Sequence, residues 1–172
     1  MSSARNPTIR QVELADVTNI TTFKGHEAGV KCLAYDPRGE YLASLSCDGT
    51  VRLWNRSNGS AAAILPVLPR FAFDDTCMRL CWRPDGACLA VPLLRGGVRL
   101  VQRDTWKTLG ELKGAAVSSS SQQLVLSFSP NGRYIASAAK DLSVEVWDAV
   151  TKECVNRVKL DSLCQSVEWS RN

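Results

Sequence analysis

The chain has no apolar run approaching the ~18 to 20 residues that a helix needs to cross a bilayer. Its start, Met1 to Arg10, is polar and lacks the apolar core of a secretory signal. These absences predict a soluble, intracellular product without membrane contact. Histidine is nearly missing, with His26 the single one in 172 residues. The seven cysteines (Cys32, Cys47, Cys77, Cys81, Cys88, Cys154 and Cys164) include no C-x-x-C pair. An odd set lying mostly in apolar runs reads as reduced thiols, not as a disulfide frame, and the ligand count for zinc is not there. No P-loop, Rossmann glycine pattern or G-x-S-x-G elbow occurs, so no metal, cofactor, small-molecule substrate or catalysis is expected. A strong charge bias is missing too. The 21 Lys+Arg against 17 Asp+Glu give a net charge of +4, and the pI of about 8.7 falls short of a dedicated nucleic-acid binder.

What is present is a repeat. Asp36-Pro37-Arg38-Gly39-Glu40-Tyr41-Leu42-Ala43, Arg83-Pro84-Asp85-Gly86-Ala87-Cys88-Leu89-Ala90 and Ser129-Pro130-Asn131-Gly132-Arg133-Tyr134-Ile135-Ala136 align without gaps. Their prolines stand 47 and 46 residues apart. Two residues before each proline is an aromatic (Tyr35, Trp82, Phe128), preceded in turn by Leu33, Leu80 and Leu126. Seventeen residues after each proline come Trp54, Val101 and Trp147. Apolar residues alternate with period two in Lys31–Tyr35 and Thr50–Trp54, the mark of strands with two distinct faces. The P-x-G element makes a tight turn, since proline presets φ and glycine tolerates positive φ. Asp48-Gly49 signals a hairpin. Four short strands recurring every ~40 to 50 residues predict an all-β, partial β-propeller built of four-stranded blades.

Gly25-His26, Asp48 and Trp54-Asn55 match the WD-repeat pattern, and Trp147-Asp148 is a literal Trp-Asp pair. The first unit therefore resembles a WD40 blade with a complete tetrad: His26, Ser44, Asp48 and Trp54. In that family the set is structural, a closed hydrogen-bonded network that fixes blade geometry. The third unit keeps a partial tetrad of Ser137, Asp141 and Trp147, with Ser119 in the histidine position. The second has Val91, Arg95 and Val101 there and must rely on apolar packing.

A narrower resemblance rests on Ser46-Cys47-Asp48-Gly49-Thr50-Val51-Arg52-Leu53-Trp54, on Met78-Arg79-Leu80-Cys81-Trp82-Arg83-Pro84 leading to Leu89-Ala90-Val91-Pro92, on Arg103-x-x-Trp106, and on Thr151-Lys152-Glu153-Cys154 with Arg157-Val158-Lys159. From about Thr22 onward the chain resembles the amino-terminal propeller of the WD-repeat and HMG-box DNA-binding family, which includes the fungal chromosome-transmission-fidelity adaptor. The resemblance implies a nuclear, chromatin-associated scaffold that couples helicase and polymerase machinery at the replication fork and supports sister-chromatid cohesion. The family's principal helicase and polymerase contacts belong to a second domain, so they are not assigned to these residues. The alternative is a generic WD-repeat scaffold, such as a ubiquitin-ligase substrate receptor or an RNA-processing subunit.

His26 with a cysteine nucleophile is a conceivable catalytic pair, but the Gly-His context favours the structural tetrad. Asp48 and Asp141 likewise read as turn and network residues, and the alternating aromatics as core. Arg95, Arg99 and Arg103 form a candidate phosphate-contacting patch through which DNA could bind; a solvated basic face is the plainer reading. Ser118–Ser121 reads as a loop between blades. The repeat divides the chain into 1–23 (end of a preceding blade), 24–66, 67–113 and 114–159 (three blades), and 160–172 (first strand of a further blade, around Val167 and Trp169). Because a seven-bladed ring needs roughly 300 residues, the chain is expected to be a fragment or shortened form.

Overall fold

The computed structural model describes residues 7–67, 78–93, 97–113 and 123–170. Two compact units divide the chain, Met1–Asp74 and Asp75–Asn172. In the first, β1 (Thr8–Glu13) and β2 (Asp16–Lys24) form an antiparallel hairpin. It is followed by a four-stranded meander of β3 (Val30–Tyr35), β4 (Tyr41–Ser46), β5 (Thr50–Asn55) and β6 (Ala61–Pro66). The second unit holds two more meanders. One is β7 (Cys81–Trp82), β8 (Cys88–Pro92), β9 (Val98–Gln102) and β10 (Thr108–Leu112). The other is β11 (Gln123–Phe128), β12 (Tyr134–Ala139), β13 (Ser143–Asp148) and β14 (Cys154–Lys159). The described residues contain no helix, and the all-β class expected from the repeat is what the chain adopts.

The P-x-G turns explain why the first hairpin of each meander closes alike. Gly39, Gly86 and Gly132 have φ of 74°, 73° and 69°. Each donates its N–H over 2.8 Å to the carbonyl three residues back, on Asp36, Arg83 and Ser129. A side chain at such φ would be strained, so glycine sets the turn. The registers then coincide. Leu42 lies opposite Trp54, Leu89 opposite Val101 and Ile135 opposite Trp147. Ser44 opposes Arg52, Val91 opposes Arg99 and Ser137 opposes Glu145.

Equivalent residues build equivalent cores. In the second unit Val98 and Leu112 pack with Ile135 and Trp147, joined by Cys88, Ala90, Leu100, Leu126 and Phe128. In the first unit the matching positions, Ile9, Phe23, Leu42 and Trp54, make a smaller cluster. The difference falls on β3. Leu126 and Phe128 are 5% and 7% exposed, whereas Leu33 and Tyr35 are 49% and 52% exposed. The expectation that every repeated aromatic is core is therefore corrected at Tyr35. β11 packs on β7 and β8, but the sheet preceding β3 has two strands and, among the described residues, nothing in the place of that pair. Tyr35 instead donates its hydroxyl to Gln11 Oε1 at 3.2 Å and lies under the Arg56 guanidinium.

The segment expected to open a further blade also differs. Residues 163–170 pair with no strand, because a ladder requires a neighbour that the described residues do not supply. The segment is held by side chains. Val167 and Cys164 pack on Val125, Ala138 and Val144, and the Trp169 indole donates to the Ser127 carbonyl at 2.9 Å while stacking on Tyr134.

Candidate functional site

The β2–β3 loop delivers His26 to the interior, where it is 3% exposed. Its Nδ1 lies 2.7 Å from Asp48 Oδ2 and its Nε2 lies 2.7 Å from Ser44 Oγ. The Trp54 indole donates to the same Ser44 Oγ over 2.8 Å. The structure thus brings all four residues of the complete tetrad together. Asp48 also accepts the Glu27 N–H at 3.0 Å through Oδ2. Its Oδ1 accepts the Thr50 N–H at 2.9 Å and the Thr50 hydroxyl at 2.6 Å. One carboxylate therefore ties the loop before β3 to the turn before β5. Burial works to raise the Asp48 pKa, but these hydrogen bonds outweigh it and hold the carboxyl at about 2. For His26 burial is the larger effect; it lowers the pKa against the raising influence of Asp48, and Arg52 adds to the lowering. A neutral imidazole closes the network: Nδ1–H donates to Asp48, Nε2 accepts the Ser44 hydroxyl, and Ser44 accepts the indole.

Ser46 was missed by the sequence reasoning. Its hydroxyl donates to the Ala28 carbonyl at 2.8 Å and accepts the Asp48 N–H at 3.1 Å. The signal was a second serine two residues before the turn aspartate.

In the third meander the Trp147 indole donates to Ser137 Oγ at 2.9 Å. Asp141 takes other partners, the Ser143 N–H at 3.1 Å and Arg157 Nη2 at 2.9 Å. Ser119 lies outside the described residues. In the second, Val91 and Val101 are 1% and 2% exposed, and apolar packing fills the tetrad's place.

The basic patch is not assembled among the described residues. Arg103 is 4% exposed, with Nε 3.2 Å from Asp104 Oδ1. Arg99 directs both Nε and Nη2 to Glu111 Oε1 at 3.0 Å. A buried guanidinium and a carboxylate-paired one do not form an exposed phosphate-contacting rim, so that expectation is corrected for both. Arg95, Cys77 and Ser118–Ser121 lie outside the described residues. Burial raises the Cys88 thiol to about 11, which removes it as a nucleophile at neutral pH. Among the described residues no group of histidine, cysteine and carboxylate side chains is placed to hold a metal ion.

A buried network of this composition, which recurs incompletely in the third meander, is a device for holding a blade rigid. Comparison with known proteins gives the family. The family described as WDHD1 first WD40 domain matches residues 1–172. The chain belongs to that family. WD repeat and HMG-box DNA-binding protein 1 from Mus musculus is 37% identical over 155 residues, covering 88% of this chain and 14% of that protein. The Homo sapiens protein of the same name is 34% identical over the same shares. F-box-like/WD repeat-containing protein TBL1X from Mus musculus is 31% identical, covering 88% of this chain and 30% of that protein. The chain thus spans a minor part of the curated relatives' length. Among solved structures, the RRP9 WD40 repeats give a TM-score of 0.76 at 17% identity, covering 93% of this chain and 47% of that one. At that identity the likeness speaks for the fold: WD repeats arranged as part of a β-propeller.

Proposed function

We propose that the chain is a non-catalytic interaction scaffold, part of the amino-terminal propeller of a nuclear, chromatin-associated replication adaptor. The observation that carries this reading is the match of the WDHD1 first WD40 domain family across residues 1–172, strengthened by relatives whose name includes DNA-binding. The local chemistry is in keeping with it. The polar groups of the tetrad are consumed in holding strands together, leaving none poised to attack a substrate. Rigid meanders presenting loops suit recognition of protein segments. The partners are proteins of the replication fork, and any direct DNA contact is secondary.

A generic WD-repeat scaffold, of the kind suggested by F-box-like relatives at about 30% identity, is the second reading. Affinity capture of the tagged chain from S-phase extract separates the two. Enrichment of fork helicase and polymerase subunits is the expected outcome. Enrichment of cullin adaptors or spliceosomal proteins in their place overturns the first reading.

A further inference from the structure

One arginine stands apart from the three meanders' common pattern. At the central position of the third strand, each blade carries a charged residue opposite a residue of its fourth strand. Arg99 faces Glu111 and is paired with it at 3.0 Å. Glu145 faces Arg157 and is paired with it at 3.4 Å. Arg52 occupies the same position on β5, but it faces Ile64. It makes no ion pair or hydrogen bond from its guanidinium among the described residues, and its Nε is fully buried with no acceptor. A buried donor of a charged group without an acceptor is costly, so a native structure that keeps one calls for an explanation.

The terminal nitrogens of the guanidinium, on the Gly25 side, are where a partner would meet it. The guanidinium lies beside the Trp54 ring, 5.9 Å from the centroid. Its Nη1 lies where a Cβ on residue 25 would stand, and the φ of 146° at Gly25 favours glycine there. Gly25 in turn forms part of the wall of an open cavity of about 390 Å³ lined by Pro7, Thr8, Lys24, Gly25, His26 and Glu27. Lys24 is exposed there and adds a second cation, while Glu27 is the acidic side chain of the lining. We infer that Arg52, with Lys24, receives a carboxylate side chain of an acidic peptide segment on the β2–β3 loop face of the first unit. A carboxylate is favoured over phosphate because an arginine–glutamate pair closes this strand position in both other blades, with glutamate as the arginine's partner each time. Arginine's planar donors suit it. The inference rests on the scaffold reading in its general form, a module that binds protein segments, and is indifferent to which complex that module serves.

The test uses the whole chain and a short fluorescein-labelled polyglutamate peptide, with the polyglutamine peptide and a DNA duplex as comparison probes. Binding of polyglutamate is expected to shift the Arg52 Nε–Hε resonance. Arg52→Gln should weaken binding about tenfold, and Arg52→Lys should weaken it less. Lys107→Gln removes the same formal charge from an exposed site between β9 and β10 and should leave affinity within about twofold. A Trp54 indole N–H still held in its hydrogen bond to Ser44, an unchanged Trp147 indole resonance and a cooperative urea transition establish that each variant is folded. The inference is overturned if R52Q and K107Q weaken binding alike, if polyglutamine binds as well as polyglutamate, if the duplex but not the peptide moves the Arg52 resonance, or if no peptide binds. An affinity capture that finds the wrong complex would leave this result untouched, so the two failures are distinguishable.

Discussion

Ser44 occupies the centre of the tetrad, since its single oxygen serves both the imidazole and the indole. Ser44→Ala leaves two buried polar groups without partners, and at ~1–3 kcal/mol each the cost should be about 2–6 kcal/mol. Ser137→Ala orphans the Trp147 N–H alone and should cost about 1–3 kcal/mol. Urea unfolding of the two variants measures the difference. The titration of His26 runs in a definite direction. Its folded pKa lies below 6.5, so the unfolded chain takes up a proton first as the pH falls. Stability contributed by the neutral ring is complete above the unfolded pKa and is lost as the pH drops below it. Asp48, held at about 2, adds a further loss between pH ~4 and ~2 by the same rule. The urea midpoint should fall between pH 7.5 and 5 in the wild-type chain. In His26→Asn it should start lower and stay flat across that interval. These four residues were legible in the sequence because the tetrad's spacing is set by strand length and turn length, both of which the repeat displays. The unpaired state of Arg52 was not legible. It depends on which residue of β6 lies opposite, and the ladder shifts register between Leu53 and Trp54.

At the scale of the strand and turn, the first and third meanders use different residues for the same bend. Gly49 follows Asp48 with φ of 85°, and Leu142 follows Asp141 with φ of 66°. The N–H of each donates back to the end of the preceding strand, to Ser46 at 3.1 Å and to Ala139 at 3.2 Å. A leucine in the left-handed region costs roughly 1–2 kcal/mol, and glycine removes that strain while giving back part of it as unfolded-chain entropy. Leu142→Gly is therefore expected to stabilise the chain by about 0.5–1 kcal/mol, read as a raised urea midpoint. An unchanged or lowered midpoint would show that the Leu142 side chain contributes more than its backbone costs. The meanders themselves were readable from alternation and turn chemistry. The exposure of Leu33 and Tyr35 was not, since the repeat gives them the same place as Leu126 and Phe128. What covers an inner strand is the sheet before it, and β1 with β2 is half a sheet.

For the molecule as a whole, the three meanders give one complete, one partial and one apolar solution to the same packing problem within a WD-repeat scaffold. Family membership extends over all 172 residues, while the relatives are several times longer. The proposal that this module works at replicating chromatin is tested most directly by capture of pulse-labelled nascent DNA, followed by a chase. The account predicts that the chain is recovered with DNA labelled minutes earlier and is depleted after the chase, in step with fork proteins. Equal recovery from pulsed and chased DNA, or no recovery from either, would contradict it.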